Sequence, residues 1–298
     1  GSHLAANYFL SGATYEITQK PVTVSGTKFY DGDSDVLASE ITSISGTVGS
    51  ETLSMSGQGS TSSANVGSGL VVTTGSLALA DGIGAASNYT ISGNITFDIN
   101  PRVLSIEASR PVNGSTTILS SVSTLTNLVS GENLTLSGSG VAAQSSAGND
   151  ISISDISSFS LSNGSGGLSS NYTLTGGTHL VDLTATSAFV TGARVYDGLL
   201  TISGSILTFV DPNDLSASVS VTGTGSISNA DVGAYSVNVS GLSLSGADAG
   251  NYNLSTISSA GNVSVNITKR AVNISGTKTY DGTTGIDESG LSIGNTIS

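Results

Sequence analysis

Apolar and polar residues alternate along most of this chain with a period of two, in short stretches. Leu53 and Met55 alternate with serines in one stretch, and Val219 and Val221 do so in another. A period of two places apolar side chains on one face of a strand and Ser or Thr side chains on the other. The 3.6-residue period of an amphipathic helix is weak throughout. The pattern therefore predicts an all-β chain built of short strands.

Similar alternation recurs at intervals along the sequence and predicts six to eight strands in each interval. The apolar positions expected on the inner strand faces also include Leu134 and Leu136, Val71, Ile151 and Ile153, Val237 and Val239, Phe97 and Ile99, Val181 and Leu183, and Val265 and Ile267.

Two sequence markers return with the same period. The turn motif GTKFYDG at 26–32 recurs as GARVYDG at 192–198 and GTKTYDG at 276–282, with a divergent copy, ASRPVNG, at 108–114. The last glycines of these motifs are separated by 82, 84 and 84 residues. An Asn-Tyr marker recurs at Asn7-Tyr8, Asn88-Tyr89, Asn171-Tyr172 and Asn251-Tyr252. Repetition at a fixed period is typical of tandem arrays of small domains.

The repeat period also predicts the domain borders. We expect a tag remnant at 1–3, the end of a preceding repeat at 4–20, repeat 1 at 21–101, a degenerate repeat 2 at 102–186, repeat 3 at 187–269, and the start of a following repeat at 270–298. The connections are too short for free hinge motion. The predicted fold is thus a set of small β domains, Ig-like sandwich or β-grasp-like, arranged end to end as an elongated rod.

The Asp-Gly pair of the turn motif predicts a two-residue hairpin. A type I′ turn requires positive φ at both central residues, which Asp, Asn and especially Gly tolerate. The predicted structural turn residues are Asp31 and Gly32, Asn113 and Gly114, Asp197 and Gly198, and Asp281 and Gly282.

The tyrosine of the Asn-Tyr marker has two interpretations. The stretch Asp248–Tyr252 has the form of a tyrosine corner, in which a phenol bonds the backbone a few residues upstream and the ring is a buried anchor. Alternatively, Tyr89, Tyr172 and Tyr252 face a ligand and stack on sugar rings. Their exposure distinguishes the two interpretations.

Composition and charge exclude several classes of function. The chain of 298 residues has a formal net charge of −13 and only eight Lys and Arg residues, which argues against nucleic-acid binding. No apolar run is long enough to span a bilayer, so membrane insertion is not expected. No secretory signal is recognisable, and we expect the sequence to be an excerpt of a longer protein. The absence of cysteine is compatible with the cytoplasm and also suits a long protein that must cross a bacterial periplasm unfolded, which fits a repeat array better.

Catalytic and metal sites are not expected. His179 is the only histidine outside the tag remnant and is predicted to be an exposed strand residue, so no Ser-His-Asp constellation can be assembled. Asp31, Asp33 and Asp35 have the spacing of a calcium loop, but Val36 stands where such a loop needs glycine. A solvated acidic turn is the better interpretation. We therefore expect no enzymatic activity and no cofactor.

The Tyr-Asp-Gly turn, the stretch SNADVGAYSVNVSGLSLSGADAGNY and the closing Asn-Ile-Thr-Lys resemble the YDG repeats of large bacterial surface adhesins, of the filamentous-haemagglutinin type exported by two-partner secretion. The resemblance implies an extracellular, cell-surface location and a monomeric stalk that projects an adhesive region for attachment or biofilm formation. It supplies no catalytic residues. The alternative is that the repeats themselves bind polysaccharide or another cell-surface ligand.

Overall fold

The computed structural model describes residues 8–9, 11–12, 14–211, 216–254 and 263–297. The predicted tag remnant lies outside the described residues. The helical elements of the described chain are 3₁₀ turns of three residues each, and strands make up the rest of the regular structure. The prediction of an all-β chain is confirmed. The 3₁₀ turns are Ala38–Glu40, Ala86–Asn88, Ser120–Val122, Ser169–Asn171, Gly204–Ile206, Ala249–Asn251 and Glu288–Gly290.

Repeat 1 contains nine strand segments. They are β1 (Lys20–Phe29), β2 (Asp35–Leu37), β3 (Ile41–Ser45), β4 (Leu53–Ser56), β5 (Gln58–Thr61), β6 (Gly67–Thr73), β7 (Ala78–Asp81), β8 (Tyr89–Ile91) and β9 (Thr96–Asn100). The main sheet has the order β2-β5-β6-β9-β1-β3, with β8 also paired to β1, and β4 pairs with β7. The first and last long strands, β1 and β9, are parallel neighbours.

The number of strands exceeds the predicted six to eight because long strands are interrupted. Gly57, with a φ of 82°, separates β4 from β5. The segment β4 pairs with β7, whereas β5 pairs with β2 and β6. One continuous stretch of chain therefore serves two sheets, and alternation alone does not reveal the change of partner.

Repeat 2 has the same succession of elements. Its strands are β10 (Arg102–Val103), β11 (Ser105–Pro111), β12 (Thr117–Leu119), β13 (Ser123–Thr126), β14 (Leu134–Ser137), β15 (Ser139–Ala142), β16 (Gly148–Asp155), β17 (Ser160–Asn163), β18 (Tyr172–Thr173) and β19 (His179–Thr184). One sheet contains the order β12-β15-β16-β19-β11, and β14–β17 and β10–β18 form separate pairs.

Repeat 3 is followed by a separate hairpin. The strands of repeat 3 are β20 (Thr186–Ser187), β21 (Phe189–Val195), β22 (Thr201–Ser203), β23 (Leu207–Val210), β24 (Ser220–Ser226), β25 (Gly233–Ser236), β26 (Leu242–Ser245), β27 (Tyr252–Asn253) and β28 (Val263–Thr268). The sheets have the orders β23-β21-β28-β25 and β22-β24-β26, and β21 and β28 are parallel. The hairpin consists of β29 (Asn273–Gly276) and β30 (Leu291–Gly294).

Two compact units divide the chain, and repeat 2 contributes to both. The first unit consists of Gly1–Ile106, Leu125–Ser137 and Ser160–Thr178. The second consists of Glu107–Thr124, Gly138–Phe159 and His179–Ser298. The core of the first unit continues from repeat 1, with Val24 and Phe97, into repeat 2, with Leu104, Leu134 and Tyr172. The core of repeat 3 lies within the second unit.

Most of the predicted inner-face residues are buried, but Val71 is not. Its side chain is 50% exposed, whereas that of Val72 is 5% exposed. Leu70, Val71 and Val72 form an unbroken apolar run, in which a period of two does not identify the inner face. The expectation for Val71 was therefore wrong by one residue.

No helix among the described residues is long and apolar enough to cross a membrane.

Candidate functional site: turn cations and repeat junctions

The four turn motifs form Asx-turns, not type I′ hairpins. In each, the side-chain oxygen of Asp or Asn accepts a hydrogen bond from the backbone N–H two residues later. The pairs are Asp31 with Asp33 (3.2 Å), Asn113 with Ser115 (3.1 Å), Asp197 with Leu199 (3.0 Å) and Asp281 with Thr283 (2.9 Å). Only the glycines have positive φ, at 92° for Gly32, 76° for Gly114, 73° for Gly198 and 80° for Gly282.

The hairpin interpretation was wrong because the strands on either side of the turn have different partners. In repeat 1, β1 pairs with β3, β8 and β9, whereas β2 pairs with β5. The Asp or Asn side chain holds the loop locally, as these residues commonly do in turns.

A basic side chain lies against each of these loops, three residues before the Asp or Asn. In repeat 1 this residue is Lys28, whose side chain is 5% exposed. Its Nζ lies 2.9 Å from the Asp31 carboxylate and 2.8 Å from that of Asp33. It also donates to the backbone oxygens of Asp33 (3.2 Å) and Asp35 (2.8 Å). Lys28 thus donates hydrogen bonds to backbone carbonyls of the loop that would otherwise lack a partner inside the protein.

The three aspartates that resemble a calcium loop are engaged by this lysine and by the backbone. Burial lowers the pKa of Lys28, but hydrogen bonds to Asp33 and Asp31 outweigh it, and the net shift is upward. The hydrogen bond from Lys28 lowers the pKa of Asp33. The predicted solvated acidic turn is confirmed, since the side chains of Asp31 and Asp33 are 39% and 60% exposed, and the buried ammonium of Lys28 pairs with both carboxylates from the inside of the loop.

The other copies use Arg110, Arg194 and Lys278 in the same way. Arg110 donates to Asn113 Oδ1 (2.6 Å) and to loop carbonyls, and Arg194 donates to the carbonyl of Thr201 (2.6 Å). Lys278 donates to the carbonyl of Gly285 (2.5 Å). The Nε atoms of Arg110 and Arg194 are buried without a hydrogen-bond partner. An ammonium therefore fits this loop with fewer unpaired groups than a guanidinium.

The marker tyrosines are buried, so the ligand-facing interpretation of Tyr89, Tyr172 and Tyr252 was wrong. They are 3%, 5% and 9% exposed. Each phenol donates to a carboxylate: Tyr89 to Glu51, Tyr172 to Glu132 at 2.8 Å, and Tyr252 to Asp211. Tyr8, outside the three repeats, is exposed.

These tyrosines also differ from a tyrosine corner. The carboxylate partner lies 38, 40 or 41 residues upstream, not a few residues away. The backbone N–H groups of Val48 and Val129 donate to the phenol oxygens of Tyr89 and Tyr172 at 3.0 and 3.1 Å. The hydrogen bond to Glu51 raises the pKa of Tyr89, and burial raises that of Tyr172. Each phenol thus joins the end of its repeat to the segment that follows β3, β13 or β23.

A second tyrosine joins repeat 1 to repeat 2 within the first compact unit. Tyr30, from the turn motif of repeat 1, donates to Glu132 of repeat 2 at 2.5 Å. Its ring packs edge-on against Tyr172, with a centroid distance of 5.4 Å and an interplanar angle of 79°. The Glu132 carboxylate therefore accepts hydrogen bonds from two phenols, that of Tyr30 in repeat 1 and that of Tyr172 in repeat 2. Burial and the bond to Glu132 raise the pKa of Tyr30 to about 12.

The asparagine of the marker also contributes to the contact between repeats 1 and 2. The side chain of Asn171 is 1% exposed, accepts from the N–H of Val66 at 3.1 Å and donates to Asn65 Oδ1 at 2.9 Å. Asn251 accepts from the N–H of Ala147 at 2.8 Å within the second compact unit. Repeats 2 and 3 therefore each use this asparagine to bond a loop of the repeat before it.

The sequence contained signals for these contacts. A basic residue stands at the same place in all four turn motifs, at Lys28, Arg110, Arg194 and Lys278. The asparagine precedes tyrosine in every marker, although its partner could not be inferred because it lies 104 or 105 residues away. Glu51 and Glu132 lie in a shared Val-x-x-Glu-x-Leu motif, at residues 48–53 and 129–134, which is a repeated signal that the alternation pattern does not register. Asp211 of repeat 3 lies outside this motif.

His179 is 9% exposed and not the exposed strand residue that the sequence suggested. It begins β19 at the position that Ile95 and Val263 occupy in the other repeats, and these two are 1% and 4% exposed. Its side chain is therefore part of a core face. Within the described residues, no group of three or more His, Asp or Glu side chains is placed to hold a metal ion.

The model of the YDG domain matches the chain three times, at residues 14–96, 100–179 and 182–259. The chain belongs to the YDG domain family. The matches follow the repeat period and include the turn cations, the marker tyrosines and the junction asparagines of the YDG repeats. No curated protein and no solved structure matches the chain.

Proposed function

We propose that these YDG repeats are a structural spacer in the stalk of a bacterial cell-surface adhesin. In this proposal they project an adhesive region of the same protein for cell attachment or biofilm formation. The observation that carries it is that the recurring side chains form internal contacts. The turn cation bonds its own loop, the marker tyrosine bonds a carboxylate of its own repeat, and the marker asparagine bonds a loop of the preceding repeat.

The junctions support a spacer because their bonds are buried. Asn171 is 1% exposed and Tyr30 is 5% exposed, and both reach a neighbouring repeat. Bending at this junction would leave the Glu132 carboxylate and the Asn171 amide without these partners. An unpaired buried polar group costs about 1–3 kcal/mol, so such bending is opposed. Resistance to bending is what a spacer needs in order to hold a distant region away from a surface.

The extracellular location and export by two-partner secretion are part of the proposal. The chain contains no cysteine, which suits passage through an oxidising compartment before folding. Buried networks of Tyr, Asn and carboxylate stabilise each repeat without disulfides. The net charge of −13 suits a polar, soluble surface array.

A polysaccharide-binding role for the repeats has less support. A groove of about 650 Å³ lies between β3 and β4 in repeat 1, lined mainly by Ser and Thr with Ile41, Ile44 and Met55. None of its described lining residues is aromatic. Sugar rings are commonly held by stacking on aromatic faces, and the recurring tyrosines are buried.

The proposal is tested by shortening the array in the parent adhesin. We expect deletion of repeat 2, residues 102–186, to preserve surface display and attachment while reducing the distance over which cells are captured. Antibody labelling measures display, and attachment under flow measures reach. Complete loss of attachment with normal display would contradict the spacer role. Saturable binding of polysaccharide by the isolated chain would support the binding module in its place.

A further inference from the structure

We propose that Asn113 is a self-deamidation site, at which the protein converts a side-chain amide to a carboxylate without an enzyme. This inference goes beyond the spacer function and does not rest on it. The sequence contains two Asn-Gly pairs, Asn113-Gly114 and Asn163-Gly164. Deamidation is intrinsically fastest at Asn-Gly, because glycine has no side chain that hinders attack by its own backbone nitrogen. The two pairs differ in what surrounds them.

The reaction begins with attack of the Gly114 backbone nitrogen on Cγ of Asn113. The proton of the Gly114 N–H passes to solvent, and negative charge develops on Asn113 Oδ1. The side-chain nitrogen then takes up a proton and leaves as ammonia, so that a cyclic succinimide remains. Water opens this ring and gives aspartate or isoaspartate. The net reaction is hydrolysis of an amide, in which nothing is oxidised or reduced.

Two donors lie at the oxygen on which this charge develops. Arg110 Nη1 donates to Asn113 Oδ1 at 2.6 Å, and the Ser115 N–H donates to the same atom at 3.1 Å. Donors that are already in place at a developing oxyanion lower the barrier, because they need no reorganisation during the reaction. The hydrogen bond from Ser115 also holds the side chain over the backbone of Gly114. Asn113 and Gly114 are exposed, so water reaches the site.

The loop also favours the product. An aspartate occupies this place in the other turn motifs, and its carboxylate lies 2.9 Å from Lys28 in repeat 1 and 3.2 Å from Arg194 in repeat 3. Among the described residues, no carboxylate forms an ion pair with Arg110. Burial lowers the pKa of Arg110. A carboxylate at residue 113 would offset this burial, since a cation removed from water is costly unless it is paired.

The second Asn-Gly pair has a different environment. Asn163 Oδ1 accepts from the backbone N–H of Ser169 at 2.8 Å and from its hydroxyl at 3.0 Å, and neither donor is charged. The Gly164 N–H donates to the carbonyl of Gly167 at 3.2 Å. Its nitrogen must give up this hydrogen bond before it can attack. The fold thus restrains Asn163, whereas Arg110 activates Asn113.

Peptide mapping by mass spectrometry of the full chain, incubated at neutral pH, tests this proposal. We expect Asn113 to deamidate several-fold faster than Asn163 in the folded protein, and the two rates to become similar in guanidinium chloride. Arg110→Gln should slow the reaction at Asn113 several-fold. Arg194→Gln is the matched control, because it removes the corresponding cation of repeat 3 and should leave the rate at Asn113 unchanged.

The comparison of the two asparagines in the unsubstituted protein needs no variant and decides by itself. A folded-state rate at Asn113 that is equal to or below that at Asn163 would overturn the proposal. So would a rate at Asn113 that Arg110→Gln does not lower in a protein that circular dichroism shows to be folded.

Urea unfolding of Asn113→Asp tests the pairing of the product with Arg110. We expect this variant to have a higher urea midpoint than the unsubstituted protein, and the rise to disappear when Arg110→Gln is combined with it. Asn163→Asp is the matched control and should not raise the midpoint. An equal or lower midpoint for Asn113→Asp, or a rise that persists without Arg110, would overturn this pairing.

Discussion

Tyr30 and Tyr280 occupy the same place in the turn motif but have opposite environments. Tyr30 is 5% exposed and bonds Glu132, whereas Tyr280 is 91% exposed. In the divergent motif Val112 takes this place and is 8% exposed. The local sequence alone therefore does not determine burial at this position. Tyr30 is buried because the Glu132 carboxylate and the Tyr172 ring of the next repeat contact it.

Removing the phenol of Tyr30 tests this contribution. We expect Tyr30→Phe to lower the free energy of unfolding by about 1–3 kcal/mol, because the half-buried Glu132 carboxylate loses one charge-assisted hydrogen bond. Tyr280→Phe is the matched control and should have no measurable effect. Urea unfolding followed by circular dichroism measures both. Equal effects of the two substitutions would contradict a junction role for the Tyr30 phenol.

The same tyrosine predicts a loss of stability in alkaline solution. A tyrosine in an unfolded chain has a pKa of about 10, and that of Tyr30 is raised to about 12 in the fold. As the pH rises, the Tyr30 phenol therefore loses its proton in the unfolded chain before it does so in the folded chain. The stabilisation that the folded protein gains from the protonated phenol is fully present below pH 10. That contribution is lost as the pH rises from 10 through 12. The urea midpoint should fall over this interval, and by less in Tyr30→Phe. A parallel fall in the two proteins would contradict the assignment.

At the scale of elements, alternation predicted the strand class and most inner faces, but not which strands pair. Ile151 and Ile153 are buried as their spacing indicates, because Ser152 between them marks the outer face. Val71 failed because Leu70, Val71 and Val72 form an unbroken apolar run, in which alternation does not identify the inner face. The junction contacts were not predictable, because Glu132 meets Tyr30 across 102 residues of sequence. Local patterns report the face of a strand, whereas partners from another repeat depend on the assembled array.

The glycine between β4 and β5 marks where a strand changes sheets. Gly57, Gly138 and Gly223 have φ values of 82°, 90° and 87°, and a Cβ on them would lie 2.1, 1.9 and 2.2 Å from a backbone oxygen. No side-chain rotation can relieve a contact with backbone. The sequence repeats Gly-x-Gly at this place in all three repeats, which is a signal that alternation analysis overlooks.

We expect Gly57→Ala to destabilise repeat 1 by more than about 2 kcal/mol, since left-handed strain of about 1–2 kcal/mol adds to the clash. Gly69→Ala separates the two causes, because Gly69 has a φ of 64° and nothing within 4 Å of its added Cβ. Gly69→Ala should therefore lose only the stability that corresponds to the left-handed backbone strain. Thermal and urea unfolding of the two variants measure the difference. Equal losses of stability would show that the backbone contact at Gly57 is relieved at no cost.

At the scale of the whole molecule, the short connections predict an elongated particle. A compact globule of 298 residues would have a radius of gyration of roughly 19 Å. Domains roughly 30 Å across set end to end should exceed about 28 Å. Small-angle X-ray scattering of the full chain measures this quantity. A value near that of the globule would contradict the rod.

Unfolding of one repeat should spread only as far as its neighbour. Gly223→Val in repeat 3 forces a branched side chain against the backbone oxygen of Gly241, so repeat 3 should lose its fold. Coupling in a tandem array passes through contacts between adjacent repeats. Here one such contact is the hydrogen bond from the Ala147 N–H to Asn251, and its loss should make the backbone amides of repeat 2 exchange faster with solvent. The amides of repeat 1 should stay protected from exchange, since Tyr30, Glu132 and Asn171 lie together in the other compact unit. Hydrogen exchange with mass spectrometry reports each repeat separately. Full loss of protection in β1 and β9 would show that the chain unfolds as one cooperative domain.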